Sequence, residues 1–262
     1  MTNYILRQGT DAYRRLTLLA EAKWPSTSAL LERLPVRPGM KCMDVGSGTG
    51  AVSLALARIV APTGRVVGVD TDTLLLDLAR EKAAEEELPA EFLEIDVTKS
   101  ELPRGFDLVY ARFLLTHLRS PLQALEKMRR STVGGVIVVE DIDFDGHVCY
   151  PHCAAFDRYV ELYKGAARSR GADPLIGPKL PGLLEAAGCT RVELEVVTPT
   201  FRRGEQKLVA AITMEHIREA VVGAGLASHG EVDDIVDELT AFARRSDTII
   251  SLARIFQAVG WG

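Results

Sequence analysis

The chain lacks most features that would set it apart from ordinary globular proteins. Four cysteines in 262 residues (Cys42, Cys149, Cys153 and Cys189) are too few and too scattered for a disulfide framework, and they fit reduced thiols in a cytoplasm. No basic run exceeds two residues, and 31 Lys and Arg against 36 Asp and Glu leave a net charge of −5. No nucleic-acid partner is therefore expected. No uncharged apolar stretch approaches the ~18 residues of a bilayer span, and Arg7, Asp11, Arg14 and Arg15 break any secretory h-region. No membrane partner is expected either. Repeats, low-complexity tracts and long flexible linkers are missing as well. A chain of this length buries roughly 70–75% of its unfolded surface and needs no metal or disulfide staple.

What the sequence does contain is a change of rhythm at Lys41. Residues 10–34 read as two helices broken at Trp24-Pro25. From Lys41 short apolar strands alternate with helical runs. The strands are expected at 41–45, 65–70, 91–97, 106–111 and 136–140, and the helices at 51–60, 73–87 and 121–130. Repeated βα units of this length predict a parallel α/β sheet with right-handed crossovers. The alternation then pauses from Asp141 to Gly177, with one helix (154–168) and no strand. A helix over 179–187 and a strand over 191–198 follow, the strand with one wet face because Val192, Leu194 and Val196 alternate with Glu193 and Glu195. Helical stretches over 205–222 and 231–245 precede a final strand over 248–259. The interruptions are too long for ordinary loops.

The chemistry concentrates at strand ends. Asp44-Val45-Gly46-Ser47-Gly48-Thr49-Gly50 closes the first strand and opens a helix, and its glycines let the backbone turn tightly and approach a ligand. Asp70 ends the second strand, where a carboxylate can accept both hydroxyls of a ribose. Asp96 ends the third and can accept from an adenine amino group. Gly46, Gly48 and Ala51 also fit the G-x-G-x-x-A of a dinucleotide site, so NAD(P) stays open on the glycines alone. Asp44, however, would set negative charge beside a pyrophosphate and suits a cofactor carrying an ammonium group. Three strand-end acids favour a cationic adenosyl ligand.

In these residues the chain resembles the class I S-adenosylmethionine (SAM)-dependent methyltransferases. The likeness rests on Met43–Gly50, Val67–Asp70, Ile95–Val97, Phe106–Arg112, Phe113–Leu118 and Gly134–Glu140, spans Lys41 to Glu140, and is nearest to small-molecule biosynthetic members. It implies a Rossmann-like seven-stranded sheet with the last strand antiparallel. It also implies one domain over 1–262, with an N-terminal helical lid (1–40), a SAM-binding core (41–140) and helical substrate-side insertions (141–177 and 205–245). By position, Asp44 with Gly46, Ser47, Gly48 and Gly50 would hold the methionine end of SAM. Asp70 with Thr71 would take the ribose, Asp96 with Val97 the adenine, and Ala111 with Arg112 the amino-acid moiety. Tyr4, Gln8 and Tyr13 are lid candidates, Tyr13 on the substrate side.

The segment 140–153 follows the fifth strand on the edge where α/β sheets bind ligands. His147 is the candidate base, with Phe144 and Tyr150 as walls. Cys149, Cys153, His147 and His152 have the wrong spacing for common zinc knuckles, and the acids Asp141, Asp143 and Asp145 lack a ligand after the fourth strand to complete a magnesium site. No metal is expected. The expected activity is methyl transfer to a small molecule, most simply a hydroxyl oxygen, by a monomer or homodimer. The alternatives are a SAM-fold protein that catalyses a non-methyl reaction or only binds its ligand, and an NAD(P) oxidoreductase.

Overall fold

Val66, Val67 and Val69, and the run Leu108–Ala111, are apolar on both faces and fully buried, as strands covered by helices on both sides must be. The computed structural model describes residues 10–262. In chain order they form α1 (Thr10–Arg33), β1 (Lys41–Val45), α2 (Ala51–Val60), β2 (Arg65–Asp70), α3 (Thr73–Glu85), β3 (Ala90–Glu94), β4 (Phe106–Arg112), α4 (Pro121–Ser131) and β5 (Thr132–Asp143). There follow β6 (Cys149–Tyr150), α5 (Ala154–Ser169), α6 (Leu180–Ala186), β7 (Arg191–Val197), β8 (Thr200–Phe201), α7 (Val209–Gly223), α8 (His229–Arg244), β9 (Ile249–Ser251) and β10 (Arg254–Trp261). None of these helices is long and apolar enough to cross a membrane.

Seven strands make one sheet in the order β3-β2-β1-β4-β5-β10-β7, mixed, with the one antiparallel strand expected. β1 pairs in parallel with β2 on one side and β4 on the other, so the strand order reverses there and a crevice opens outside the carboxyl ends. One face of the sheet is dry. Met43, Val45, Val109, Ala111, Ile137 and Val139 pack there with Leu125 and Met128 of α4 and Leu180 and Leu184 of α6.

The chain divides into two compact units. The sheet unit comprises residues 28–141, 176–195 and 256–262. The helical unit comprises 10–27, 142–175 and 196–255, and holds α5, α7 and α8 with a small antiparallel sheet in the order β6-β9-β8.

Several boundaries differ from the sequence reading. α1 runs unbroken through Pro25. Burial of Leu18 and Ala22 before the proline, and of Leu30 and Leu31 after it, outweighs the ~3 kcal/mol that an interior proline costs. β5 begins four residues early. It spends five residues (Thr132 to Val136) against three of β4 (Phe106 to Leu108), with Gly134 at φ +65°, and Gly134 and Gly135 disguise a strand. β3 stops at Glu94, two residues short of Asp96. The expected final strand is two, β9 in the small sheet and β10 in the large one. β7 is wet on both faces beyond Val192 because it is the sheet's edge: Leu194 is 45% and Val196 42% exposed.

Candidate functional site

The glycine loop after β1 is tied down from beneath. The amides of Gly46 and Ser47 donate to the Val69 carbonyl (2.8 and 3.0 Å), Gly48 N–H donates to Asp70 Oδ2 (2.8 Å), and Gly50 N–H to the Ser47 carbonyl (2.9 Å). A pyrophosphate site needs such amides turned outward; here they are spent on protein. The glycines also differ in purpose. Gly48 has φ +52°, and a Cβ there would project into open space, as expected of a cradle's inner surface. Gly50 has φ +78°, and a Cβ would lie 2.8 Å from Ala79 and 3.1 Å from Phe92, so that glycine serves packing against α3 and β3. Ser47 Oγ is buried without a hydrogen-bond partner. An open cradle rimmed by acids fits an adenosyl ligand bearing an ammonium group.

Asp70 is already engaged by backbone. Its Oδ1 accepts from Thr71 N–H (2.7 Å) and Asp72 N–H (3.1 Å) while Oδ2 holds Gly48. A carboxylate offers about four acceptor positions, and three are used by backbone. Asp96 is similarly engaged, accepting from Thr98 N–H and Oγ1 (2.9 and 2.6 Å) and pairing with Lys99 Nζ (2.8 Å). Those bonds, Lys99 first, hold its carboxyl down at about 2. Because Lys99 is a solvent-exposed partner worth little, an adenine amino group can replace it. Val97 is buried and its carbonyl accepts from Lys127 (2.6 Å).

Asp44 is only 2% exposed. Burial lifts its carboxyl to about 6 despite the Ser53 hydroxyl (2.6 Å) and the Arg112 charge, which both favour ionisation. Strand register sets Asp44 beside Tyr110, and Arg112 beside Glu140. Ala111 is fully buried and its methyl packs in the dry core, so only its backbone could meet a ligand. The open end of β4 is instead formed by Arg112 and Phe113. Phe113 sits at φ +54°, a strained region for an aromatic residue, held by its N–H to the Glu140 carbonyl (2.7 Å).

The sequence reading missed a polar chain that is buried at Tyr110, Glu140 and Gln257 and reaches the surface at Arg33. Glu140 accepts from the Tyr110 hydroxyl and from Gln257 Nε2 (2.7 Å), and Arg33 donates to Gln257 Oε1 (3.2 Å). The available signal was one polar residue inside each apolar run: Tyr110, Glu140 and Gln257. Such a residue must be partnered.

Phe144 and His147 belong to the helical unit, where they line a partly open cavity with Phe156, Tyr159 and Tyr163. Burial pushes His147 down to about 4, against the Phe144 carbonyl and the charges of Asp143 and Asp145. Its Nδ1 has no hydrogen-bond partner. Tyr150 is 65% exposed on the edge of the small sheet and lines no cavity with them, which corrects its placing as a wall. Tyr4 and Gln8 lie outside the described residues, as does the side chain of Tyr13. Asp141 accepts from Thr116 N–H (3.0 Å), Asp143 pairs with Arg254, and Asp145 with Lys164. No group of three or more His, Cys, Asp or Glu among the described residues is placed to hold a metal ion.

His147 makes a prediction for stability. Its imidazole is held below its unfolded value of 6.5, so the folded state resists a proton that the unfolded chain takes. Stability is full above pH 6.5 and lost as pH falls towards 4, by up to about 3 kcal/mol. Because Asp44, raised to about 6, titrates there with the opposite sign, the effect is expected in the difference in urea stability between wild type and His147→Phe across that range, which should shrink as pH falls; a constant difference would remove His147 as its source.

Residues 42–135 match the model of a methyltransferase domain family. An uncharacterised 37.1 kDa protein of a Streptomyces fradiae transposon is 30% identical over 202 residues, 76% of this chain and 57% of its own length. The ubiquinone/menaquinone biosynthesis C-methyltransferase UbiE of Burkholderia vietnamiensis is 32% identical over 126 residues, 47% of this chain and 51% of its own. The chain thus spans a little over half the length of these relatives. Among solved structures, the YcgJ protein of Bacillus subtilis overlays with a TM-score of 0.60 at 14% identity (90% of this chain, 97% of that one). The (4+2)-cyclase SpnF overlays at 0.54 and 19% identity (90% and 80%). Those two likenesses are of fold. Together with the loop, the strand-end acids and the sheet order, the domain match identifies residues 42–135 as a methyltransferase domain of the class I SAM-dependent type.

Proposed function

We propose that the protein transfers the methyl group of SAM to a small-molecule acceptor, most simply a hydroxyl oxygen. The observation that carries the reading is the site's charge. Asp44, Asp70 and Asp96 stand at or just beyond the ends of consecutive parallel strands, and the amides of Gly46, Ser47, Gly48 and Gly50 are spent on protein rather than offered to an anion. Bound SAM supplies a methyl carbon activated by its sulfonium. The chain's task is to align an acceptor and exclude water. The acceptor oxygen forms the new C–O bond as the S–C bond breaks, its electron pair stays on sulfur, and the hydroxyl proton passes to a base.

In this reading Asp44 faces the ammonium end of SAM, with Gly46, Ser47 and Gly48 beneath it, Asp70 and Thr71 at the ribose, Asp96 and Val97 at the adenine, and Arg112 at the carboxylate. The raised carboxyl of Asp44 then gives a pH signature. In the free protein it is protonated below about 6, and a cationic ligand requires it ionised. SAM affinity is expected to fall about tenfold from pH 7 to pH 5, with proton uptake or release visible by calorimetry in buffers of different ionisation enthalpy. A flat profile would take Asp44 out of contact with the ammonium.

His147 is the group we assign to the proton. Because burial keeps it neutral down to about pH 4, the acid limb of the rate profile is expected near 4 rather than near 6.5, and His147→Ala should lower kcat about 100-fold and abolish that limb. An unchanged profile would show that no base is used there. Carbon is the second acceptor to consider, because the Burkholderia relative is named for C-methylation. Incubation with methyl-labelled SAM and a panel of small hydroxylated compounds tests the whole reading. Label in a product supports transfer; turnover with label retained in SAM would support the non-methyl alternative that the SpnF-like fold also accommodates.

A further inference from the structure

α2 runs Ala-Val-Ser-Leu-Ala-Leu-Ala-Arg-Ile-Val, and Ser53 is its one hydroxyl, fully buried between Val52 and Leu54. Serine is a poorer helix former than alanine, and a buried hydroxyl is costly unless it is hydrogen-bonded. Ser53 therefore has a polar task. Its Oγ donates to Asp44 Oδ2 at 2.6 Å, and both residues are buried. The start of the helix explains why that acid comes from β1. Gly50, at φ +78°, precedes α2 without a side chain to cap it, and the first turn carries no acid of its own. Asp44 supplies the negative charge that a helix N-terminus favours. The Ser53 N–H joins its hydroxyl in favouring the ionised carboxylate.

Other groups also bear on Asp44. Arg112, at the end of β4, favours the carboxylate by its charge, and Asp70, at the end of β2, opposes it. Tyr110 lies beside Asp44 in strand register, but its hydroxyl is given to Glu140. Burial outweighs the favourable contacts and leaves the carboxyl raised to about 6. A ligand ammonium therefore depends on whatever keeps this group ionised near neutrality.

We propose that Ser53 is a positioning residue for the cofactor, its hydroxyl holding the Asp44 carboxylate in the ionised form that meets the ligand's ammonium. The proposal rests on the methyltransferase reading and deepens it with a residue that acts through Asp44. Ser53 is itself 0% exposed, so no ligand reaches it.

Ser53→Ala on the full chain tests this. The change removes one oxygen from a helix that favours alanine, so far-ultraviolet circular dichroism should stay near wild type. A hydrogen bond to the charged form lowers a carboxyl by about one pH unit, and its loss should raise Asp44 by as much. Carbon-13 carboxyl NMR of the ligand-free protein reads this directly, the Asp44 signal being assigned by its loss in Asp44→Asn. Calorimetry with SAM should then show about fivefold weaker binding than wild type at pH 6 and less than about twofold at pH 8. Methylthioadenosine, which keeps the adenosine and thioether but has no ammonium, should bind the two proteins alike. Ser53→Cys, whose thiol is a weak donor, should fall between them and replaces the alanine variant should that one fail to fold. An unmoved Asp44 titration, a SAM deficit equal at pH 6 and pH 8, or equal weakening of both probes would overturn the assignment. Wild-type protein that binds no SAM sinks the underlying reading; SAM binding in wild type with an unmoved Ser53→Ala profile sinks this proposal alone.

Discussion

Gly48→Val is expected to reduce SAM binding below detection while far-ultraviolet circular dichroism stays near wild type. The added side chain meets no protein atom within 4 Å of its Cβ, so it creates no internal clash. Its fold cost is the left-handed backbone at φ +52°, roughly 1–2 kcal/mol for a residue with a Cβ. Its binding cost is larger, because the branch enters the space over which a ligand must lie. Gly50→Val is the informative contrast. There the Cβ strikes Ala79 and Phe92, so thermal stability should drop sharply. Normal SAM affinity in Gly48→Val would show that the loop does not touch the cofactor.

Asp70→Ala carries the second large effect, and the structure changes its expected form. Loss of a carboxylate that accepts ribose hydroxyls removes charge-assisted bonds worth about 1.5–3 kcal/mol, so SAM affinity should fall tenfold or more. The same carboxylate anchors Gly48, Thr71 and Asp72, so the loop loosens as well and stability should fall by about 1–3 kcal/mol. Asp70→Asn separates the two roles: its amide oxygen still accepts from backbone, so stability should recover further than affinity. Unchanged affinity in both variants would remove Asp70 from the site.

The sheet was legible because its strands are apolar on both faces and its loop obeys strict spacing. Asp44, Gly48, Asp70 and Asp96 were singled out on the same ground, and the structure sets Asp70 and Gly48 in direct hydrogen bond. What escaped was set by tertiary contacts. Pro25 is a local breaker overruled by burial of Leu30 and Leu31, and Gly134 and Gly135 hid the start of β5. Thr248–Val259 held two strands of different sheets, which no local pattern distinguishes. The polar chain from Arg33 to Tyr110 joins four distant segments, and distance along the chain hid it. Tyr150 was misplaced because it sits on a two-residue edge strand that faces water.

The division of the chain has a consequence for its evolution and its handling at the bench. Four of the five crossings between units fall inside regular elements, within α1 at Thr27 and Ser28, within β5 at Asp141 and Ile142, within β7 at Glu195 and Val196, and within β10 at Ile255 and Phe256; the fifth, at Leu175 and Ile176, falls between α5 and α6. No single pair of cuts, by protease or by gene truncation, liberates the helical unit as one polypeptide. Exchange of that unit between relatives by simple recombination is correspondingly hard, so it must diversify by substitution and small insertion in place. The family model, which ends at residue 135, does not reach the cavity-bearing part of the chain. Relatives with interchangeable cores can therefore differ in the chemistry they accept while remaining indistinguishable to any comparison confined to that core.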